Sequence, residues 1–173
     1  VPGGMGPEAK LQWLIEGGGE KLWVDYRHSR GQHGMFCGIM GSELFSNSHK
    51  RVQTLADFKG YKYRTAGANT AVMRALGAAP NLVPGPEVFT MLERKAIDGT
   101  EYLTPYGNIQ LGFAKVAKYV IYPGIHAPSA LQELIMSKKT WDGISKTNQD
   151  KIRLVCDSII VRAHAHITHR DMM

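Results

Sequence analysis

The chain has 173 residues, 43% of them hydrophobic and 21% charged, which is the balance of a globular fold holding one ordinary domain or two small lobes. It has no run of about eighteen apolar residues, which argues against a membrane-spanning helix. Residues 1–6 are rich in Gly and Pro and do not form a basic stretch leading into an apolar one, as a secretory leader would. The formal charge is +6, but Lys and Arg are scattered and their densest cluster is His49, Lys50 and Arg51. A nucleic-acid protein gathers them on one face with aromatics between, so no nucleic acid is expected. A mildly basic body that attracts small anions is the better reading.

In chain order, Ala9, Leu11, Trp13 and Leu14 predict a short helix over residues 7–16. Gly17, Gly18 and Gly19 break it, and helical character resumes over 20–26. The triple glycine lacks the Lys-Ser/Thr of a phosphate loop and reads as a helix break. Residues 35–40 form an apolar run and predict a strand. Thr54 and Asp57 have capping-box spacing at the start of a helix of about one turn, stopped at Lys59-Gly60. Residues 61–65 then read as a strand. Asn69 or Thr70 caps a helix with Val72, Met73, Ala75 and Leu76 inside and Gly77 closing it. A short strand follows at 81–83. Pro86 suits a first helical turn, and Val88, Phe89, Met91, Leu92 and Ala96 make the buried face up to Asp98-Gly99. This alternation of strand and helix with short loops is that of an α/β unit.

Residues 106–117 read as one amphipathic helix, 119–122 as a strand stopped by Pro123-Gly124, and 131–136 as another strand. Thr140 is the expected cap of a start at Trp141. From Asn148, Ile152, Val155, Cys156, Ile159, Ile160 and Ala163 recur at three and four, which predicts a long helix with one apolar face. Cys37 and Cys156 lie far apart. Buried free thiols are the expectation, with a disulfide left open, and neither residue has metal-ligand spacing.

Three places carry chemistry. Arg64 ends a strand and precedes the small-residue loop Thr65-Ala-Gly-Ala-Asn69. Ligands of open α/β sheets bind at such strand ends, and a guanidinium fork matches a carboxylate. A salt-bridged surface arginine is the plain alternative. Glu101, beside Tyr102, offers oxygen to a cation or hydroxyl, although an ordinary turn carboxylate fits as well. His126 sits between Pro123 and Pro128 on stiff backbone, where a structural histidine is the commoner case. His164, His166 and His169 read as a solvated helix end. No catalytic motif of the hydrolase or metalloprotease kind is present. An enzyme using Arg64 as anchor and His126 as acid/base is the alternative to ligand capture without chemistry. A ligand sensor for a signalling partner is a third option.

Leu55-Ala-Asp-Phe-Lys-Gly-Tyr-Lys-Tyr-Arg64 resembles the corresponding segment of TRAP transporter solute-binding proteins, as do Ala75-Leu-Gly-Ala-Ala-Pro80, residues 87–99 and Pro123-Gly-Ile-His-Ala-Pro128. The similarity runs over residues 7–164 in order and spacing, and is strongest to the branch that takes 2-oxo acids and other monocarboxylates. It implies a periplasmic-binding-protein-like two-lobe α/β fold with crossing strands and a long C-terminal helix, the first lobe being incomplete. The implied division is 1–35 as a remnant of lobe I, 36–102 as lobe II, and 103–173 as the return to lobe I. The resemblance further implies a periplasmic receptor, not an enzyme. Such a receptor holds a small organic acid through Arg64, with Tyr102, Glu101, His126 and Glu43 around the ligand, and delivers it to TRAP membrane permease subunits. It allows a bound sodium or calcium ion on Glu101 and Tyr102, and a homodimer. Ala127 stands where that branch often has a polar or acidic residue, which counts against the metal. Family members are considerably longer, so the chain is expected to be a piece of one, with uncovered apolar surface.

Overall fold

The computed structural model describes residues 2–173. Its elements in chain order are helices α1 (Pro7–Ile15) and α2 (Gly19–Ser29), strands β1 (Gln32–Met40) and β2 (Ser46–Ser48), a 3-10 turn (Leu55–Phe58), β3 (Lys62–Arg64), α3 (Asn69–Ala75), β4 (Ala79–Asn81), α4 (Gly85–Glu93) and β5 (Gly99–Thr100). There follow α5 (Pro105–Gln110), α6 (Phe113–Val116), β6 (Tyr119–Ile121), β7 (Ala130–Ser137), α7 (Lys138–Asp142) and α8 (Lys146–Met172). The chain divides into two compact units, one made of residues 2–4 with Ser42–Pro128 and the other of Met5–Gly41 with Ser129–Met173. The boundaries therefore fall at 41/42 and 128/129, where the sequence placed them at 35/36 and 102/103. Residues 36–40 complete a strand paired with β7, and residues 103–128 return β6 to the sheet of the first unit.

The first unit holds a five-stranded sheet in the order β4-β3-β5-β2-β6. β3 runs parallel to both β4 and β5, while β2 is antiparallel to β5 and β6. Parallel neighbours need a crossover; α3 supplies it between β3 and β4. One core cluster joins Phe45, Phe58, Tyr61, Tyr63 and Met73; a second joins Val83, Val88, Leu92, Ile97 and Phe113. Val88 and Leu92 meet because residues four apart share a helix face. Asp57 accepts from the backbone N–H of Gln53 and Thr54 at 2.9 and 2.8 Å, and these bonds hold its carboxyl below the usual range.

β2 was not legible in the sequence. Ser46, Asn47 and Ser48 are buried, and a run of polar residues reads as loop. The strand exists because its side chains find partners: Tyr61 Oη donates to Ser48 Oγ at 2.6 Å, and Asn47 Nδ2 donates to Asn108 Oδ1 at 3.1 Å. The single helix expected over 106–117 is two, since Gly112 has φ 79° and caps α6 in the left-handed region. Ser137, not Thr140, caps α7, its hydroxyl accepting from Thr140 N at 3.0 Å. Asn69 lies inside α3 and donates to Thr65 Oγ1 at 2.9 Å.

In the second unit β1 and β7 pair antiparallel from Gln32↔Ser137 to Met40↔Ala130, with the register shifting between Phe36 and Gly38. Cys37 is the extra residue of that bulge. It shares a strand face with Met35, which packs with Trp141 of α7 and Cys156 of α8. Cys37 and Cys156 are joined by a disulfide across 119 residues, so the expectation of free thiols is corrected. Packing α8 on β1 brings the two sulfurs together, and sequence spacing carries no trace of that. Of the apolar face expected on α8, Cys156 is buried, while Val155 and Ile159 are 54% and 45% exposed. None of the helices is long and apolar enough to cross a membrane among the described residues.

Candidate functional site

The first unit places Arg64 at the C-terminal end of β3, level with Thr100 on the neighbouring β5. Glu101 is the next residue, so the sheet register itself sets guanidinium and carboxylate side by side. Both are buried, and Arg64 Nη1 donates to Glu101 Oε1 at 3.2 Å. The same nitrogen reaches the Glu101 carbonyl at 3.3 Å, and Nε donates to the Val83 carbonyl at 3.1 Å. Nη2 makes no hydrogen bond among the described residues. The Tyr102 ring stands over the guanidinium at 5.3 Å, a cation–π contact that also narrows the rotamers open to Arg64.

Glu101 accepts a further bond from Ala66 N at 3.1 Å, out of the small-residue loop after β3. Burial nevertheless raises its carboxyl above the ordinary range; Arg64 pulls it down and Glu43 pushes it up. Desolvation outweighs the one cation beside it.

Glu43 and His126 arrive on the stretches flanking β2 and β6. Glu43 N donates to the Ala127 carbonyl at 3.1 Å, which ties the two stretches to each other outside the β2–β6 register. His126 Nε2 then lies 3.1 Å from Glu43 Oε2. The ring is 6% exposed, makes an edge contact with Phe45 at 5.8 Å, and leaves Nδ1 with no partner. Gly124 must be glycine here, because a Cβ would overlap the Glu43 carbonyl.

One donor atom each from Glu43, Glu101 and His126 lies within 4.8 Å of the others. The three line a cavity of about 300 Å³ together with Asn69, Ala127 and residues 66–68. Two carboxylates and an imidazole in a small polar cavity fit a cation. Ala127 itself offers no donor side chain; the second carboxylate comes from Glu43, 83 residues before His126. So Glu43, Glu101 and His126 share the cavity wall, whereas Arg64 and Tyr102 are not among the cavity's lining residues. The Tyr102 hydroxyl lies against Gly85, where a Cβ would overlap it. The loop 66–69 and the Val83 carbonyl were not read as site residues individually. The only signal for them was a run of small residues after a strand that ends in arginine.

The family model of bacterial extracellular solute-binding proteins, family 7, matches residues 4–169. The chain belongs to that family. Its members bind solutes for transport and are not enzymes, which removes the catalytic reading of His126. Over 154 residues the chain is 29% identical to a monocarboxylate 2-oxoacid-binding periplasmic protein of a Nostoc species, covering 87% of this chain and 41% of that one. A Pseudoalteromonas atlantica TRAP periplasmic solute-binding protein, solved with bound sodium and pyruvate, is 28% identical. It superposes with a TM-score of 0.89 over 99% of this chain and 52% of its own. A Bordetella bronchiseptica TRAP solute-binding protein, solved as a dimer of mixed occupancy with calcium and picolinate, is 26% identical. Its TM-score is 0.92, over 99% of this chain and 51% of that one. The two-unit α/β fold with the long C-terminal helix is thus that of the family. The chain spans about half the length of the relatives that it matches.

Proposed function

We propose that this chain belongs to an extracytoplasmic receptor that captures a small organic acid, a 2-oxo acid or similar monocarboxylate. Arg64 grips the carboxylate, and the receptor delivers the acid to a TRAP-type membrane permease. The observation that carries the reading is the buried guanidinium at the end of β3. It is held on three sides by Val83, Glu101 and Tyr102, with Nη2 left without a hydrogen bond among the described residues. A pre-oriented fork with a spare donor suits a carboxylate oxygen. The cavity beside it carries Glu101 and Glu43, so an anion enters favourably when a cation comes with it. Glu101, Glu43 and His126 are the side chains that would hold that cation, and its role there is to offset the carboxylates. The sodium or calcium found with the organic acid in the two solved relatives supports a metal in the same role. Periplasmic location is supported by the relatives and by the Cys37–Cys156 disulfide, a bond that persists in oxidising compartments.

The test is a thermal-shift and calorimetric screen of pyruvate, longer 2-oxo acids and simple monocarboxylates, with sodium or calcium present. At a hundredfold excess over Kd a true ligand stabilises by about 2.7 kcal/mol. Arg64→Ala should abolish the response while retaining the fold by circular dichroism. An Arg64→Ala protein that binds as tightly as wild type would remove the basis of the reading.

A further inference from the structure

We propose that the end of the first unit's sheet remote from Arg64 is a docking surface for anionic phospholipid headgroups. It is built on Lys50, Arg51, Lys62, Arg94, Lys95 and Lys118.

Lys and Arg are scattered along the chain, and the sheet register gathers these six. Lys62 opens β3 and Arg64 closes it, so the two mark opposite ends of the strand. The ladder that sets Tyr63 against Gly99 puts Lys62 beside Asp98, whose N–H donates to the Lys62 carbonyl at 2.7 Å. β2 leaves the sheet at the same end. His49 N donates to the Asp98 carbonyl at 2.8 Å, and Lys50 and Arg51 follow. β6 enters there, with Lys118 N donating to the Ser48 carbonyl at 3.0 Å. The turn from α4 to β5 adds Arg94 and Lys95, and the His49 ring bonded to the Leu92 carbonyl ties that turn to the end of β2. The four adjacent strands β3, β5, β2 and β6 cover about 14 Å at ordinary strand spacing. All six basic residues are exposed. Among the residues that shape this end, the acids are Glu93 and Asp98. Asp98 is already held by Lys50 Nζ at 2.9 Å and by Lys62 N at 2.9 Å.

The second observation is backbone strain. α4 ends in a Schellman turn: Lys95 N donates to the Leu92 carbonyl at 3.0 Å and Ala96 N to the Met91 carbonyl at 2.9 Å. The residue between them must take the left-handed region, where glycine is usual because a Cβ crowds the following carbonyl. Here it is Lys95, with φ 58°, the one non-glycine residue at positive φ among the described residues. Glycine would close the helix at lower steric cost. What the lysine adds is a charge at the basic end, and strain of this kind is kept where function uses the residue.

The composition of the surface selects lipid over a fixed protein partner. Four of the six are lysines, flexible point charges that suit a fluid array of phosphates, whereas a rigid partner favours the arginine fork. Tyr119 follows Lys118 on the edge strand and is 40% exposed, with Val120 beyond it at 59%. A tyrosine with one wet end beside cations is the pairing found at headgroup level.

The inference does not depend on the carboxylate reading of Arg64, and its test uses no organic acid. The 173-residue chain is sedimented with vesicles of phosphatidylcholine alone and of phosphatidylcholine with about one-third phosphatidylglycerol. Binding to the mixed vesicles only, and release at about 0.5 M salt, are expected. Lys62→Ala with Lys95→Gly and Lys118→Ala should weaken binding about 100-fold, at about fivefold per cation. Lys21→Ala with Lys138→Ala and Lys146→Ala removes the same charge from exposed ion pairs of the second unit and should leave vesicle binding unchanged. Lys95→Gly by itself should lose about fivefold without lowering the melting midpoint, a split that a merely structural lysine would not show. Equal losses from the two triple variants would mean that net charge alone drives binding, and would overturn the assignment. So would equal binding to neutral and mixed vesicles. Failure to bind the mixed vesicles overturns it as well, and retention on polyglutamate in that case makes the partner an acidic protein segment.

Discussion

Replacing both cysteines, Cys37→Ala with Cys156→Ala, tests how the second unit is held together. The disulfide closes a loop of 119 residues, and the entropy removed from the unfolded chain grows with the logarithm of that loop. If the whole chain unfolds together, the loop-closure relation gives about 4.9 kcal/mol at 25 °C. If Ser42–Pro128 stays folded while the other unit melts, about 87 residues drop out of the flexible loop. About 32 then remain, and the figure falls to about 3.7 kcal/mol. The three tryptophans, Trp13, Trp23 and Trp141, all lie in the second unit, so their emission follows that unit's unfolding and is blind to the other. Urea titration read by tryptophan fluorescence should show the midpoint of the double variant lower by about 2 M, for a slope near 2 kcal/mol/M. Tyrosine-weighted far-ultraviolet signals from the first unit should move less. A loss below about 1 kcal/mol would refute the loop-closure argument and mean that packing of Met35, Trp141 and Ile152 already holds α8 on β1.

Three further predictions concern single features. Gly124→Ala pushes a methyl into the Glu43 backbone, which cannot yield as a side-chain tip would; a loss of about 1–3 kcal/mol is expected, together with weaker cation binding by calorimetry. His33 is stacked on Trp141 at 4.0 Å, and burial first, then His28, depress its basicity below the usual histidine value. The unfolded chain therefore binds the proton more readily, so stability contributed above pH 6.5 is lost as pH falls through the depressed value. Denaturation series between pH 8 and pH 4 should show a shallower acid slope for His33→Gln than for wild type. The exposed Leu154, Val155, Ile159 and Val161 of α8 predict self-association, homodimer included. Light scattering should give a mass above 19.1 kDa for wild type and a shift toward that value for Val155→Glu with Ile159→Lys.

Local information in the chain was enough for several elements. Apolar periodicity marked α4 and α8, glycine and proline marked the breaks, and Thr54 with Asp57 marked the turn before β3, because each signal lies within a few residues of its effect. Arg64 was legible as a strand-end arginine, and Glu101 and His126 stood out by residue type. Glu43 was a weak candidate, since nothing near it in the sequence says that it meets a histidine 83 positions on. That meeting is decided by the antiparallel pairing of β2 with β6, just as the Arg64–Glu101 pair is decided by the parallel register of β3 with β5. The polar strand β2, the Cys37–Cys156 bond and the uncovered side of α8 share that character. Each depends on which distant surface arrives opposite, and the energy of such contacts is absent from any short window of sequence.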